Sequence, residues 1–253
     1  MIYILIIVLL LIIIFAYNQI QNKSKIIKCP HPHYVYNNIQ LSKLKELILY
    51  FDKISKEYKI TYFILGGTLL GATRHNGFMS WDDDLDYGVI NTDNDKILKL
   101  QKDLIASNSK YKIVDVSLFG YKLMFTDDCC KNSYLIDEKH ESNDVFIDIL
   151  MFKKQDNKYI LERENFVTDW WKTEWHYEHE LFPLKRVFFS GIYLPKPKYE
   201  INYLNRKYKN WENDIYINET MHNNQKVKTD NYGLIKINKN NRNKYLCYND
   251  FTK

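Results

Sequence analysis

The chain has 253 residues, of which 45% are hydrophobic, 15% aromatic and 26% charged, a composition typical of a folded protein rather than a disordered one. Its 36 Lys and Arg against 31 Asp and Glu give a net charge of +5, which is too weak to favour a nucleic acid partner. This length suits one compact domain with appended segments.

The chain begins with an apolar run that carries no charge over residues 2–17. Extended to residue 20, the run approaches the roughly 20 residues that cross a bilayer as a helix. We predict a single-pass membrane anchor over 1–20 and a tether over 21–39, with a cleaved signal peptide or a core helix as alternatives.

The orientation of this anchor stays open. Lys23, Lys25 and Lys28 favour a cytosolic flank, whereas an endomembrane, Golgi-like location in a eukaryote would need the reverse. A possible glycosylation sequon begins at Asn218, but such triplets often occur by chance.

Downstream of the tether, periodicity predicts helices mixed with strands. Apolar spacing predicts a helix over 41–59, and TYFIL predicts a strand over 61–65 that ends at Gly66-Gly67-Thr68, with a helix beginning over 69–73. Strands are also predicted at 85–90, 112–116, 121–125 and 145–151, helices at 93–107 and 197–208, and a hairpin at 186–189 and 192–194. The fold class is therefore α/β (α+β), with a loosely packed Asn- and Lys-rich tail over 213–253.

An acidic run, Asp82-Asp83-Asp84-Leu85-Asp86, lies among apolar residues, which favours a site over a solvated turn. Residues two apart on a strand share a face, so we expect Asp84 and Asp86 to converge. Two such carboxylates repel each other unless a cation lies between them, and their oxygens suit Mg²⁺ or Mn²⁺. Asp82 and Asp83 are assigned supporting roles.

Two further features point to phosphate chemistry. Gly66, Gly67 and Thr68 would offer backbone N–H groups to phosphate oxygens. Asp148, in an otherwise apolar strand, is costly to bury unless it binds a metal or accepts a substrate proton, although a strand-edge Asp paired with a surface Lys is the alternative. Together these parts fit a metal-assisted in-line phosphoryl displacement.

Several basic and aromatic residues are further candidates. Arg74 could bind a phosphate bidentately, with His75 as a donor or a packing residue. Lys185 and Arg186 could bind the phosphates of a nucleotide or be a solvated pair. The remaining candidates are a base-stacking or core cluster of Trp170, Trp171, Trp175 and His176, and a zinc site or ordinary thiols at Cys129, Cys130 and His140.

Four ordered blocks carry a family resemblance: GTLLGATRHNGFMSWDDDLD at 67–86, VFIDI at 145–149, LFPLKRV at 181–187 and YLNRKY at 203–208. Together they resemble the LicD family, which includes the fukutin-type enzymes. The chain departs from the family pattern at Met79-Ser80, where an aliphatic residue and Pro are frequent, which should alter the stiffness of the loop.

The resemblance implies a nucleotidyltransferase-like mixed sheet flanked by helices, in a catalytic domain over 40–212. It implies transfer of a phospho-substituted alcohol, such as phosphocholine or ribitol phosphate, from a CDP-linked donor to a glycan. Asp84 and Asp86 would be the metal pair and Asp148 the third carboxylate. Two alternatives stay open: a nucleotidyltransferase that moves NMP from an NTP, and an inactive membrane-bound glycan-binding or scaffold protein.

Overall fold

The structure, a computed structural model, describes residues 27–28, 36–116, 119–128, 145–162, 172–218 and 232–248. Within these ranges, no helix has both the length and the apolar character that a membrane crossing requires. Several predictions lie outside the described residues: the anchor at 1–20, most of the tether at 21–39, Cys129, Cys130, His140, Trp170, Trp171 and most of the sequon.

A mixed sheet of seven strands is the centre of the described part of the chain. After β1 (Ile27–Lys28), its strands are β2 (Tyr62–Ile64), β3 (Asp86–Ile90), β4 (Tyr111–Val116), β5 (Gly120–Phe125), β6 (Phe146–Gln155), β7 (Lys158–Leu161) and β8 (Trp175–Tyr177). Five of the strands pair in the order β2-β3-β6-β5-β4. Strand β7 pairs with the C-terminal end of β6, and β8 pairs with β7. Only β3 and β6 pair in parallel within this sheet as described.

The helices flank this sheet, which confirms the predicted mixture of helices and strands. They are α1 (Asn38–Glu57), α2 (Gly66–His75), α3 (Asn94–Ala106), α4 (Glu178–Leu181), α5 (Glu200–Lys207) and α6 (Arg242–Tyr245). Helix α1 begins at a capping box, in which Asn37 accepts from the Gln40 N–H and the Gln40 side chain accepts from the Asn37 N–H.

Successive residues of β2 face opposite sides of the sheet and anchor a different helix on each side. On one side, Phe51 of α1 packs on Tyr62 and Tyr87, with ring centroids 5.0 and 5.4 Å apart. On the other side, Phe63 packs against His176 of β8, which is stacked in turn on Tyr203 of α5. The sheet is therefore covered on both faces.

Three local predictions are wrong. The glycines at 66–67 do not end the preceding strand as a turn but form the first turn of α2, and strand β3 begins at Asp86, so Asp84 lies in the loop before it. The helix predicted over 197–208 is present but begins only at Glu200, with residues 197–199 between it and the hairpin of β9 (Lys185–Phe189) and β10 (Ile192–Lys196).

The described part of the predicted tail is not loosely packed. Strands β11 (Asp214–Ile217) and β12 (Gly233–Lys236) pair with each other, and β13 (Cys247–Tyr248) pairs with β1. Ile215 and Ile217 are fully buried with Tyr245 and Leu246, and Trp81 packs against them. The prediction of a loose tail was wrong because this segment is mostly polar and only a few of its residues form the buried cluster. The domain boundary at 212 stays a prediction.

His176 belongs to the core, which confirms the core alternative for this residue. Its ring is fully buried, lies 4.7 Å from the Tyr203 ring, and has no hydrogen-bond partner for either nitrogen among the described residues. Burial lowers the pKa of His176 to about 3, with a smaller contribution from the charge of Arg206. The folded protein therefore holds a neutral imidazole over a wide pH range.

This buried imidazole predicts an acid-sensitive fold. Between the ordinary pKa of 6.5 and about 3, the unfolded chain binds a proton that the folded state excludes. The contribution of the neutral His176 to the free energy of unfolding is thus fully present above pH 6.5 and is lost as the pH falls towards 3. In His176→Phe, the dependence of the free energy of unfolding on pH should become shallower, by up to about 1.4 kcal/mol per pH unit, as measured by urea denaturation from pH 7 to 4.

The matched control is His179→Phe, at an exposed position on the neighbouring helix α4. This variant should keep the wild-type pH dependence. If His176→Phe also keeps it, the buried imidazole is not the source of acid sensitivity.

Candidate active site

Three carboxylates meet where parallel strands β3 and β6 lie side by side. The register pairs Asp86 with Asp148, and the Asp148 N–H donates to the Leu85 carbonyl oxygen at 2.8 Å. One oxygen from each of Asp84, Asp86 and Asp148 lies within 4.8 Å of the other two, and all three residues are partly exposed. The predicted convergence of Asp84 and Asp86 is therefore present, although the loop before β3 supplies Asp84.

The first turn of α2 lies directly against these carboxylates. The Asp86 N–H donates to the Thr68 hydroxyl oxygen at 2.8 Å, and the Leu65 N–H donates to the Asp86 carbonyl oxygen at 3.1 Å. Gly66 has a φ of +54°, and a Cβ there would overlap the carboxylate of Asp86. Both glycine properties, conformational freedom and the missing side chain, are thus required at this position.

Asp82 and Asp83 extend the acidic cluster. One oxygen from each lies within 4.8 Å of an Asp84 oxygen, and a Cβ on Gly67 would come within 2.6 Å of Asp82 Oδ2. The Tyr36 hydroxyl donates to the Asp83 carbonyl oxygen, so this loop is held from the segment before α1. Burial, and then the nearby Asp83 carboxylate, raise the pKa of Tyr36, so the hydroxyl keeps its proton.

A chain of polar contacts from α5 reaches the glycine turn, and the sequence reasoning missed it. The Gly66 N–H donates to the Tyr203 hydroxyl oxygen at 3.0 Å, and that hydroxyl donates to Glu174 at 2.7 Å. Glu174 also pairs with Lys207, one helical turn after Tyr203. The four-residue spacing of Tyr203 and Lys207 within a predicted helix was the available signal.

The charge of the acidic cluster affects Lys207. Burial lowers the pKa of the Lys207 ammonium, and the carboxylates of Asp86 and Asp84 oppose that shift. Tyr208, the next residue, has a raised pKa, first because of burial and then because of Asp86. The C-terminal end of α5 thus brings a cation and a neutral hydroxyl towards the aspartates.

Arg74 makes structural contacts in this fold. Its guanidinium is buried and donates to the carbonyl oxygens of Trp211 at 2.6 Å and Asp214 at 2.8 Å, and to His75 at 2.8 Å. Burial lowers the pKa of Arg74 to about 10. These contacts tie α2 to the C-terminal segment, and a phosphate contact by Arg74 or His75 stays a prediction without support from the described contacts.

Lys185 and Arg186 are exposed on β9. Arg186 contacts the Asp52 carboxylate of α1 at 3.3 Å and the Tyr193 carbonyl oxygen, and the Lys185 ammonium lies 5.7 Å from the Tyr199 ring centroid. None of these partners belongs to the acidic cluster, so the described contacts do not place either residue at the site.

The cluster has the chemistry of a divalent cation site. Three carboxylates within 4.8 Å of one another repel strongly, and each offers the hard oxygen that Mg²⁺ and Mn²⁺ prefer. The first N–H groups of α2 have no acceptor inside the helix, and that of Gly66 is already bound to Tyr203. The next N–H groups of this turn, those of Gly67 and Thr68, lie beside the acidic cluster at a helix N-terminus, which is a favourable position for an anion.

A glycine pair tests the contact between α2 and Asp86. Gly66→Ala should cost about 2–4 kcal/mol and weaken Mn²⁺ binding, because the added methyl group displaces the Asp86 carboxylate and the backbone has a positive φ. Gly233→Ala also has a positive φ, of +78°, but the new methyl group meets nothing within 4 Å. It should lose about 1 kcal/mol and bind Mn²⁺ normally, as judged by urea denaturation and calorimetry. Equal Mn²⁺ affinity in the two variants would contradict this role for Gly66.

The chain is similar in sequence to several known proteins. Uncharacterized protein RP689 of Rickettsia prowazekii (strain Madrid E) is 33% identical over 153 residues, which are 60% of this chain and 49% of that protein. Human ribitol 5-phosphate transferase FKRP is 25% identical over 168 residues, 66% of this chain and 31% of that protein. Lipopolysaccharide cholinephosphotransferase LicD of Haemophilus influenzae is 57% identical over 37 residues, 15% of this chain and 14% of that protein.

The chain spans about half the length of the rickettsial relatives it matches. A solved structure, ANT(2")-Ia in complex with adenylyl-2"-tobramycin, matches over 47% of this chain and 55% of that one, with 14% identity and a TM-score of 0.32. The family described as LicD/FKTN/FKRP, nucleotidyltransferase domain, matches residues 59–199, which is more than half of the chain. The chain therefore belongs to the LicD family.

Proposed function

We propose that this protein transfers a phospho-substituted alcohol, such as phosphocholine or ribitol phosphate, from a CDP-linked donor to a hydroxyl group of a glycan. The observation that carries the proposal is the convergence of Asp84, Asp86 and Asp148 against the first turn of α2. Two relatives support the reaction class by name, a cholinephosphotransferase and a ribitol 5-phosphate transferase.

Asp84, Asp86 and Asp148 would hold Mg²⁺ or Mn²⁺, since the carboxylates are close together and still reach solvent. Such an ion, when bound, supplies positive charge that offsets the charge of the donor's diphosphate. Asp82 and Asp83 would add to the negative field that attracts it. The Tyr36 and Thr68 contacts hold the loop and strand that carry these ligands.

The chain's own residues would orient the donor for in-line attack. The Gly67 and Thr68 N–H groups are suited to bind phosphate oxygens at the start of α2. A bond forms between the acceptor hydroxyl oxygen and phosphorus, the bond from phosphorus to the bridging oxygen breaks, and CMP leaves with that oxygen. The proton of the glycan hydroxyl passes to a carboxylate or to water. Asp148 is the candidate to take up this proton if it does not bind the ion.

We also propose that residues 1–20 attach this protein to a membrane. Its support is the uncharged apolar run at 2–17, which precedes the described catalytic elements. A glycan acceptor carried on a membrane lipid or a secreted protein would suit an enzyme held at that surface.

Removing single carboxylates tests the site. Asp84→Asn, Asp86→Asn and Asp148→Asn should each reduce transfer more than about 100-fold, since loss of even indirect metal-site contacts typically costs 10–100-fold. Asp115→Asn, which changes an exposed aspartate on β4, should retain full activity. Full activity in Asp84→Asn or Asp86→Asn would reject the assignment.

A donor screen tests the reaction class. With Mg²⁺ and a glycan acceptor, we expect product from at least one of CDP-choline, CDP-ribitol and CDP-glycerol and none from NTPs, measured by mass spectrometry. Transfer of NMP from an NTP would identify a nucleotidyltransferase instead. Failure to bind Mg²⁺ or Mn²⁺ by calorimetry would favour a glycan-binding or scaffold protein.

A further inference from the structure

Lys122 on β5 completes a row of charged side chains across three strands. The register pairs Lys122 with Asp148 across β5 and β6, and Asp148 with Asp86 across β6 and β3. The Lys122 ammonium lies 3.1 Å from Asp148 Oδ1, and the two side chains are only 15% and 13% exposed. A cation of the protein itself thus already occupies one side of the third carboxylate.

Aromatic rings also hold this ammonium. It lies 3.6 Å from the ring centroid of Phe146, two residues before Asp148 on the same face of β6, and 5.9 Å from that of Phe119. A lysine over an aromatic face is stabilised by the ring quadrupole. Lys122 is therefore positioned by β6 beside the cluster rather than extended into solvent.

Lys122 and a divalent cation would compete for Asp148. Both charges are positive, and at the spacing of adjacent ligands their repulsion is large even at the effective dielectric constant of a protein surface. Lys122 and the divalent cation no longer compete for Asp148 if the Lys122 ammonium pairs with another anion nearby. A lysine has four flexible methylene groups, so a phosphate bound beside the cluster is within the range of its movement.

We propose that Lys122 is a positioning residue that exchanges its ion pair with Asp148 for one with the donor's phosphate, so that divalent cation and donor bind cooperatively. In the free protein Lys122 shields Asp148 and weakens cation binding. When a nucleoside diphosphate group is present, Lys122 turns to its phosphate oxygens and releases Asp148 to the cation. This inference rests on the proposed function for the class of donor.

Mn²⁺ binding to the full 253-residue chain tests the exchange without requiring catalysis. In the wild type, calorimetry should find weak Mn²⁺ binding that CDP tightens at least about tenfold. In Lys122→Met, Mn²⁺ alone should bind at least about tenfold more tightly, and CDP should add much less. Lys122→Arg keeps the positive charge, so without CDP it should bind Mn²⁺ as weakly as the wild type does.

The matched control is Lys43→Met. Lys43 also pairs with a carboxylate, that of Asp128, and its ammonium lies 4.9 Å from the Phe125 ring centroid, but Asp128 is not part of the acidic cluster. A lysine with only a structural role should behave like this control, which should lose stability while it keeps the wild-type affinity for Mn²⁺ with and without CDP.

Two results would overturn the proposal. One is a Lys122→Met protein, or a Lys122→Gln protein if the first does not fold, that binds Mn²⁺ no more tightly than the wild type. The other is a wild type in which neither CDP nor inorganic pyrophosphate changes Mn²⁺ affinity. A failure of the proposed function can be told apart from a failure of this exchange. If no CDP-alcohol gives transfer, the Mn²⁺ binding measurements still test the role of Lys122.

Discussion

The parallel pairing of β3 with β6 is the contact on which the site depends. It places Asp86 beside Asp148, while the hydrogen bond from the Asp148 N–H to the Leu85 carbonyl oxygen aligns the loop that carries Asp84. The repulsion among these carboxylates opposes folding, and both the Lys122 ammonium beside Asp148 and the surrounding core offset it. That core is extensive, since β6 is buried on both faces over residues 149–152.

Two helices hold the acidic cluster from the side of the sheet opposite α1. The first turn of α2 approaches Asp86 closely because its glycines have no side chains, and Tyr203 of α5 holds the Gly66 N–H in place. Glu174 links Tyr203 to Lys207, so the conformation of the glycine turn depends on a residue more than 100 positions away in the chain. Arg74 extends this linkage to the C-terminal segment through two backbone carbonyl groups.

Much of the fold followed from local patterns, and the failures have physical causes. Periodicity located α1, α3 and most of the sheet, because their apolar residues repeat at helical or strand spacing. The short strands β7, β8, β11 and β12 were missed, since each has three or four residues and its burial comes from distant partners. Glycine was taken as a terminator at 66–67, although a close approach to Asp86 explains it better.

The sequence by itself determined which residues bring chemistry: the acidic run, the lone Asp148 in an apolar strand, and the ordered blocks that identify the LicD family. Their types and spacing carry that information without coordinates. Only the tertiary structure decided what the basic residues contact. Lys122 lies beside Asp148, whereas Arg74 donates to backbone carbonyl oxygens and Arg186 contacts Asp52. The physical reason is that charge pairing depends on distance in space, and strand register and helix packing bring together residues that the sequence keeps far apart.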